Sequence, residues 1–309
     1  MKKLVLIDGN AIVHRAFHAL PPLTNASGAP TNAIHGFFSM LLSIIDSQSP
    51  DNFVVCFDRP KPTFRQTLFV GYQQNRPAMS DDLKPQILLL HDILREIGVC
   101  IFEVDGFEAD DLIGTLSKQA KEKEFETVIV SGDRDLLQLV NGKVKVLMPI
   151  IGISKSVLMG ESEVEEKYGI KPIQIIDWKA LTGDASDGYL GVSGIGPKTA
   201  QNLLKQYKNL EEIYENLKKI NPKISLKLAT DAEQAALAKR LATIDINSPV
   251  NFKPNECPTP KLTKVGNVLK EFGFRTLSER AFKFAKPGVQ TEDIIEPGKK
   301  KKEEQLDLL

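Results

Sequence analysis

The chain has 309 residues, of which 42% are hydrophobic and 26% are charged, so it is long enough for two domains or one large one. Its 40 lysine and arginine residues balance its 40 aspartate and glutamate residues, so affinity for nucleic acid must come from local basic patches. No apolar run approaches the length of a membrane span, and the short run after Lys3 ends at Asp8, which argues against a signal peptide.

The cysteines indicate the compartment. There are three, an odd number, and none has Cys-x-x-Cys spacing. Cys56 and Cys100 lie inside apolar runs, which is typical of small core residues. This pattern argues against a zinc site and predicts a reducing compartment, the cytoplasm.

Acidic residues follow four short apolar runs. The runs cover residues 4–7, 53–57, 99–102 and 127–130. The acids after them are Asp8, Asp58, Glu108, Asp110, Asp111, Asp133 and Asp135. Continuous apolar runs are expected for the buried strands of a parallel sheet, and the turns after such strands share the edge where ligands bind. Because carboxylates at close range repel one another unless a cation lies between them, the pattern predicts a site for several metal ions. The alternative is that single clusters only favour a helix N-terminus or a solvated turn.

A basic segment follows the second run. The segment 59–80 carries four basic side chains and three aromatic side chains but no acid. Basic side chains hold phosphates and aromatic side chains stack on bases, so the segment predicts a channel for a single nucleic acid strand. Arg15, on the helix predicted after Asp8, is also placed to reach a phosphate.

A glycine-rich turn marks the second half of the chain. After the last two acids of interest, Asp184 and Asp187, the alternation of strands and helices stops, and the later segments are predicted to be helical. Glycines at 191, 194 and 196 permit a tight turn, and Pro197 begins a helix whose N-terminal amides suit a phosphate. We interpret residues 191–207 as a helix-hairpin-helix that binds the nucleic acid backbone. A dinucleotide-binding loop fits less well, because no strand precedes the glycines.

The C-terminal segment differs in composition from the rest. Residues 286–309 contain four consecutive lysines and almost no core-forming residues before the end, so we expect a disordered tether. The chain ends in a short apolar peptide, which we expect to anchor in a groove of a partner protein. That peptide is Gln305, Leu306, Asp307, Leu308 and Leu309.

Together these motifs resemble the 5′ nuclease of bacterial DNA polymerase I and its stand-alone relatives in the flap endonuclease superfamily. The matching stretches are residues 6–10, 57–58, 63–65, 108–111, 132–135, 181–187 and 194–200. The resemblance covers residues 1 to about 285. It implies an α/β fold with a mostly parallel sheet flanked by helices, the PIN-like 5′ nuclease fold, in residues 1–178. A helical DNA-binding domain with the helix-hairpin-helix would occupy residues 179–285.

The resemblance also implies an activity. The expected enzyme is a Mg²⁺-dependent 5′-3′ exonuclease or flap endonuclease of replication and repair, which leaves 5′-phosphate products. Two ions are implied, and Mn²⁺ is expected to substitute. One ion would be held by Asp8, Asp58, Glu108, Asp110 and Asp111. The second would be held by Asp133, Asp135, Asp184 and Asp187. The implied catalytic residues are Asp110, Asp111 and Arg76, of which Arg76 would clamp the scissile phosphate.

The implied substrates are branched or 5′-single-stranded DNA and RNA primer–DNA hybrids. Residues 59–95 would form an arch through which a 5′ strand threads, and the helix-hairpin-helix would hold the duplex, with K⁺ on its turn carbonyls. The residues expected to contact DNA are Arg15, Lys61, Arg65, Tyr72, Arg76, Gly194, Gly196, Lys198 and Thr199. We expect a monomer that does not bind membranes.

One departure from the family leaves an alternative open. Relatives typically carry lysine after the arch tyrosine, whereas Gln73 follows Tyr72 here. This leaves Arg76 as the arch cation and predicts slower chemistry. The terminal peptide 305–309 resembles the bacterial sliding-clamp binding motif, so the alternative is a weak or inactive branched-DNA-binding protein tethered to the clamp. An RNA-directed PIN nuclease is opposed by the helix-hairpin-helix. A haloacid dehalogenase-type phosphohydrolase is opposed by the absence of Asp-x-Asp at Asp8.

Overall fold

A mostly parallel sheet forms the centre of the protein. The computed structural model describes residues 1–25, 28–151 and 155–285 and the backbone of residues 294–295. The strands are β1 (Lys3–Asp8), β2 (Asn52–Cys56), β3 (Cys100–Phe102), β4 (Glu126–Val130), β5 (Val144–Ile151), β6 (Lys155–Met159), β7 (Gly183–Asp184), β8 (Tyr189–Leu190) and β9 (Ile294–Ile295). The order in the main sheet is β3-β2-β1-β4-β5-β6-β9, and only β6 runs antiparallel to its neighbour β5. The predicted fold class is therefore confirmed.

Helices cover both faces of this sheet. The helices before β4 are α1 (Gly9–Ala19), α2 (Asn32–Gln48), α3 (Phe64–Leu68), α4 (Lys84–Ile97) and α5 (Ala109–Glu122). The later helices are α6 (Glu161–Tyr168), α7 (Ile175–Thr182), α8 (Pro197–Gln206), α9 (Leu210–Glu215), α10 (Pro222–Thr230), α11 (Ala232–Ala242), α12 (Leu262–Glu271) and α13 (Arg275–Phe284). Short 3₁₀ helices span Asp135–Leu139, Pro172–Gln174, Leu217–Lys219 and Pro254–Glu256.

The central strands are buried on both faces because their side chains alternate between two cores. Leu4 and Leu6 of β1 pack in the core that includes α5, whereas Val5 and Ile7 pack in the core that includes α2 and α4. Burial on both faces favours apolar side chains in the interior of these strands. The acid of β1, Asp8, accordingly lies at the carboxyl end of the strand.

The last two helices return to the first half of the chain. Helix α12 contacts α4, and α13 contacts α2. Val265 and Leu277 from these helices lie in the same core as Val5. The segment between 179 and 285 thus contributes helices both to the hairpin region and to the layer behind the sheet.

The expectation of purely helical structure after Asp187 is wrong at one place. Strands β7 and β8 form a small antiparallel hairpin between α7 and α8. Glycine is required here, because a Cβ on Gly183 would lie 2.5 Å from the backbone nitrogen of Gly191. This hairpin carries Asp184 and Asp187 towards the sheet edge.

The expectation for Cys100 is also wrong. Cys100 in β3 forms a disulfide with Cys257, whose Cα lies 5.3 Å away. The two residues are 157 positions apart, so their spacing carried no sign of the pairing. Cys56 is a free, buried core residue, as predicted.

Within the described residues, no helix is both long and apolar enough to cross a bilayer. The predicted tether 286–309 lies outside the described residues except for Ile294–Ile295, whose backbone pairs with β6. The terminal peptide 305–309 lies outside them entirely.

Candidate functional site

A cavity of about 680 Å³ opens at the carboxyl ends of β1, β2 and β4. It brings together seven of the nine acids predicted to bind metal. They are Asp8, Asp58, Glu108, Asp110, Asp133, Asp135 and Asp187. Asp184 lines an adjoining cavity of about 420 Å³, which shares Asp133 and Asp135 with the first. Asp111 lines neither of these two cavities.

We call Asp8, Asp58, Glu108 and Asp110 the strand-end group. Asp8 accepts hydrogen bonds from the Ala11 backbone amide at 3.0 Å and from the Ser131 hydroxyl at 2.6 Å. Asp58 Oδ1 accepts from the Ala109 amide at 2.7 Å. These donors are neutral, and in the described part of the chain Asp8, Asp58 and Asp110 form no ion pair with lysine or arginine. Their negative charges are therefore not balanced by a side-chain cation in contact with them.

The electrostatics of the strand-end group reflect this imbalance. Burial raises the pKa of Asp8 to about 7, and the carboxylates of Asp58 and Asp133 act in the same direction. Burial, followed by the charges of Asp133 and Asp8, raises the pKa of Asp110 well above its usual range. Burial also raises the pKa of Glu108 to about 7. Raised carboxyl pKa values of this kind mark a cluster that a bound cation would stabilise.

We call Asp135, Asp184 and Asp187 the helix-side group. One carboxylate oxygen from each lies within 4.8 Å of the others. The ammonium of Lys179, in α7, contacts both Asp135 and Asp184, and its Nζ lies 2.5 Å from Asp184 Oδ2. Arg76 donates to Asp187 Oδ1 at 2.7 Å. Two of these three carboxylates thus contact Lys179 and the third contacts Arg76, whereas Asp8, Asp58 and Asp110 contact no side-chain cation in the described part of the chain.

The pKa of Asp184 shows the effect of these cations. Although burial alone would raise it, the hydrogen bond and charge of Lys179 lower the pKa of Asp184 to about 2, together with donors from Ser186. In the same site, burial and the charge of Asp133 raise the pKa of Asp135 to about 7. Lys179 acts to lower the pKa of Asp135 as well, but burial and the charge of Asp133 outweigh it.

Lys179 is the main residue that the sequence analysis missed. It lies in the helix that precedes the acidic loop, five residues before Asp184. Its side chain is only 9% exposed. A lysine in a helical segment of mostly apolar residues, directly before an acidic turn, was the available signal. Ser131, which donates to Asp8, was missed because a serine in a turn has many ordinary roles.

Asp111 and Arg65 form a buried pair behind the cavity. Arg65 donates to both carboxylate oxygens of Asp111, at 2.8 and 2.7 Å, and to Glu108 at 3.1 Å. It also donates to the backbone carbonyls of Leu241 and Thr243. Asp111 is fully buried. Both side chains therefore have intramolecular partners, and the metal and DNA contacts that the family resemblance implies for them stay predictions.

The remaining arch residues connect the two groups. The Tyr72 hydroxyl lies 3.2 Å from Glu108 and 3.5 Å from Asp187. The backbone amide of Gln73 donates to the Asp187 carbonyl, and its side chain lies 3.3 Å from Asp187 Oδ1. Lys61 is exposed and pairs with Asp105 at 2.6 Å. The base of the arch therefore contacts both the strand-end group and the helix-side group.

Arg15 and the predicted hairpin lie at different places around the site. The Arg15 guanidinium lies beside Gly132. Gly194 has a positive φ of 72°, and Gly196 caps α8, so the turn forms as predicted. Lys198 is exposed in the first turn of α8 and Thr199 is partly buried. Neither Arg15 nor the hairpin residues line the carboxylate cavity.

Helices α10 and α11 contact the turn of the predicted helix-hairpin-helix and the strand β8 before it. Lys227 donates to the Gly194 carbonyl at 3.0 Å, and Gln234 donates to the Leu190 carbonyl at 2.7 Å. Two backbone carbonyls at this turn therefore already have side-chain donors.

Comparison with protein families identifies the chain. The family described as "5'-3' exonuclease, N-terminal resolvase-like domain" matches residues 3–169, and "5'-3' exonuclease, C-terminal SAM fold" matches residues 170–264. The chain belongs to the 5′-3′ exonuclease family. A 5′-3′ exonuclease of Aquifex aeolicus is 36% identical over 290 residues, which cover 94% of this chain and 99% of that protein.

Another member of this 5′-3′ exonuclease family is part of a longer protein. DNA polymerase I of Caldicellulosiruptor bescii is 42% identical over 282 residues, which cover 90% of this chain. The matched region is 33% of that protein, so the chain spans about a third of the length of the polymerase relatives.

Solved structures share the fold of this chain. The bacteriophage T5 5′-exonuclease with bound zinc ions matches with a TM-score of 0.66 at 21% identity, over 92% of this chain and 100% of that chain. The catalytic core of Rad2 in complex with a DNA substrate matches with a TM-score of 0.59 at 14% identity, over 92% of each chain. At these identities the likeness establishes the common fold.

Proposed function

We propose that the protein is a divalent-metal-dependent 5′-3′ exonuclease and 5′-flap endonuclease. Its substrates would be DNA with a branch or a free 5′ strand, and RNA primers paired with DNA, in replication and repair. The observation that carries the proposal is the cavity itself. Seven carboxylates converge there beneath a segment that supplies basic and aromatic side chains. Oxygen-rich sites of this kind suit Mg²⁺, and Mn²⁺ would substitute.

The donor set fits two divalent ions unequally. The strand-end group would hold the first ion. Three of its four carboxylates, those of Asp8, Asp58 and Asp110, contact no lysine or arginine in the described part of the chain. Asp133 and the helix-side group would hold the second. When bound, ions of this type would lower the pKa of a water molecule and neutralise charge on the scissile phosphate. Attack of that water on phosphorus with loss of the 3′ oxygen would leave a 5′-phosphate and a 3′-hydroxyl.

The arch would place the strand over these carboxylates. The Arg76 side chain is half exposed while it pairs with Asp187, so it can turn towards a phosphate in the cavity. Tyr72 is buried between Glu108 and Asp187 and would fix the height of the arch above both groups. Arg65 and Asp111 would support Glu108 from behind, so we assign them to positioning instead of DNA or metal contact.

The helix-hairpin-helix would hold the duplex part of the substrate. The amides at the start of α8 and the exposed Lys198 suit a backbone phosphate. A K⁺ ion fits the turn less well than the family suggests, because the Leu190 and Gly194 carbonyls already accept from Gln234 and Lys227. No step of the proposal uses K⁺.

We further propose a monomer that works in the cytoplasm, where its substrates lie, and that reaches replication sites through the sliding clamp. The support for the clamp contact is the sequence of residues 305–309, which resembles a clamp-binding peptide. Fluorescence polarisation of that peptide with purified clamp tests this part separately.

One observation favours a second candidate, a catalytically weak DNA-binding protein. Gln73 stands where the family carries lysine, and it holds Asp187 by a neutral side chain. The arch therefore presents Arg76 without a second cation beside it.

Cleavage of a labelled 5′-flap duplex in Mg²⁺ separates the two candidates. We expect cutting near the junction that EDTA abolishes and that the Asp110→Ala variant lacks. Tight flap binding without cutting in Mg²⁺ or Mn²⁺ would overturn the nuclease proposal in favour of the second candidate.

A further inference from the structure

The helix-side group contains an ammonium ion where a metal would be expected. Lys179 contacts one oxygen of Asp135 and one of Asp184, two of the three carboxylates that converge there. Its side chain is 9% exposed, so the ammonium lies inside the site. The ammonium therefore already bridges two carboxylates that a second divalent ion would need.

These contacts limit what else can bind. Mg²⁺ and Mn²⁺ bind carboxylate oxygens at about 2.0 to 2.2 Å, and a lysine nitrogen in contact with the same oxygens excludes an ion at that place. Two cations at such short separation would also repel one another strongly in a partly buried site. The ion and the ammonium must therefore compete.

The surroundings give Lys179 a place to move. The adjoining cavity of about 420 Å³ is lined by Lys179 itself together with Gly132, Trp178 and Ser186. A lysine side chain has four rotatable bonds, so its ammonium can leave the carboxylates without a change in the backbone.

We propose that Lys179 is a resident counter-cation of the helix-side group and that a divalent ion occupies this group only by displacing it. Lys179 is thus a positioning residue that makes the second ion bind more weakly than the first. The inference rests on the proposed function, because it assumes that both groups bind divalent ions.

Mn²⁺ binding to the full chain without DNA tests the inference independently of nuclease activity. Free Mn²⁺ is measured by its electron paramagnetic resonance signal during titration of the wild type and of K179M. We expect one strong and one weak binding step in the wild type, and a second step about tenfold tighter in K179M. An unchanged or weaker second step in K179M would overturn the proposal.

Two further variants make the test specific. K239M is the matched control, because Lys239 also bridges two carboxylates, Asp177 and Glu211, away from the cavity, and we expect wild-type binding from it. K179R keeps the positive charge and is expected to keep the second step weak. A K239M protein that gains the same tightening would contradict the proposal, because the gain would then be a general effect of lost charge.

Thermal unfolding shows whether the K179M variant is destabilised by loss of the ammonium. Removal of Lys179 leaves Asp135 and Asp184 without their cation, so K179M is expected to unfold at a lower temperature in EDTA and to recover in Mn²⁺. If K179M does not fold at all, the K179Q variant carries the same titration. Recovery no larger than that of the wild type in Mn²⁺ would count against the proposal.

The failure of this inference differs from the failure of the proposed function. A normal strong step with an unchanged second step in K179M would refute only the role of Lys179. Absence of the strong step, or its persistence in Asp110→Asn, would refute the proposed metal site itself.

Discussion

The strand-end group and the helix-side group lie side by side but balance their charges in different ways. Asp8 and Asp58 accept from a hydroxyl and from backbone amides, whereas Asp184 accepts from an ammonium. The pKa of Asp8 is accordingly raised to about 7 by burial, and that of Asp184 is lowered to about 2, mainly by Lys179, against the effect of burial. The difference teaches that Asp8, Asp58 and Asp110 depend on a cation from solution, while the helix-side group contains cations of the protein itself.

The largest expected effect comes from the strand-end group. Asp110→Asn removes one anionic ligand without a change in size, and we expect single-turnover cleavage of a 5′-flap duplex to fall about a thousandfold. The matched control is Asp92→Asn, on the exposed surface of α4, which should cleave at the wild-type rate. Cleavage by Asp110→Asn within about tenfold of wild type would break the comparison.

A second effect concerns the support behind the same group. Arg65→Met would leave Asp111 buried without its partner, and we expect the free energy of unfolding to fall by about 3 kcal/mol. Urea denaturation measures this. Arg59 pairs with Asp105 where both side chains are more than 40% exposed, so Arg59→Met should cost less than about 1 kcal/mol. Equal losses in both variants would contradict a buried supporting role for Arg65.

Asp184 should respond to pH with the sign opposite to that of Asp8, Glu108 and Asp135, because its pKa is lowered and theirs are raised. Burial raises the pKa values of Asp8 and Glu108 from 3.8 and 4.5 to about 7, so the folded state binds these protons more tightly than the unfolded chain. Their stabilisation is complete below about pH 4 and is lost as the pH rises to about 7. Asp184 contributes stability that is present above the ordinary aspartate pKa of 3.8 and is lost as the pH falls towards 2.

Thermal unfolding in EDTA at a series of pH values measures these contributions. We expect the melting temperature of the metal-free protein to fall between pH 5 and pH 7.5, and Mg²⁺ to raise it more at pH 7.5 than at pH 5. Metal-free stability that rises over this range would contradict the uncompensated charge assigned to the strand-end group.

The smallest expected effect lies on the arch above the helix-side group. Gln73→Lys adds a cation next to Asp187, and we expect the cleavage rate at limiting Mg²⁺ to rise about threefold to tenfold. Gln74→Lys is the matched control, because it adds the same charge at an exposed neighbour. An equal rise in both variants would assign the effect to general attraction of DNA and not to the site.

The sequence predicted most of the fold and the convergence of the acids. Asp8 and Asp58 end buried parallel strands, and parallel strands share one functional edge, so local patterns were sufficient. The partners of Lys179 and Arg65 could not be predicted in this way. Arg65 lies 46 residues from Asp111, and the pair forms because the start of α3 lies beside the loop before α5, where the Phe64 amide donates to the Gly106 carbonyl. The same holds for Cys100 and Cys257, which are joined by the return of the chain to β3.

The most direct test of the unequal groups is a crystal structure of the full chain grown with Mn²⁺, with anomalous scattering used to locate the ions. The account predicts the strongest anomalous peak among Asp8, Asp58 and Asp110. At low Mn²⁺ concentration, Lys179 should remain on Asp135 and Asp184. The strongest peak between Asp135 and Asp184, with Lys179 displaced and the strand-end group empty, would contradict it.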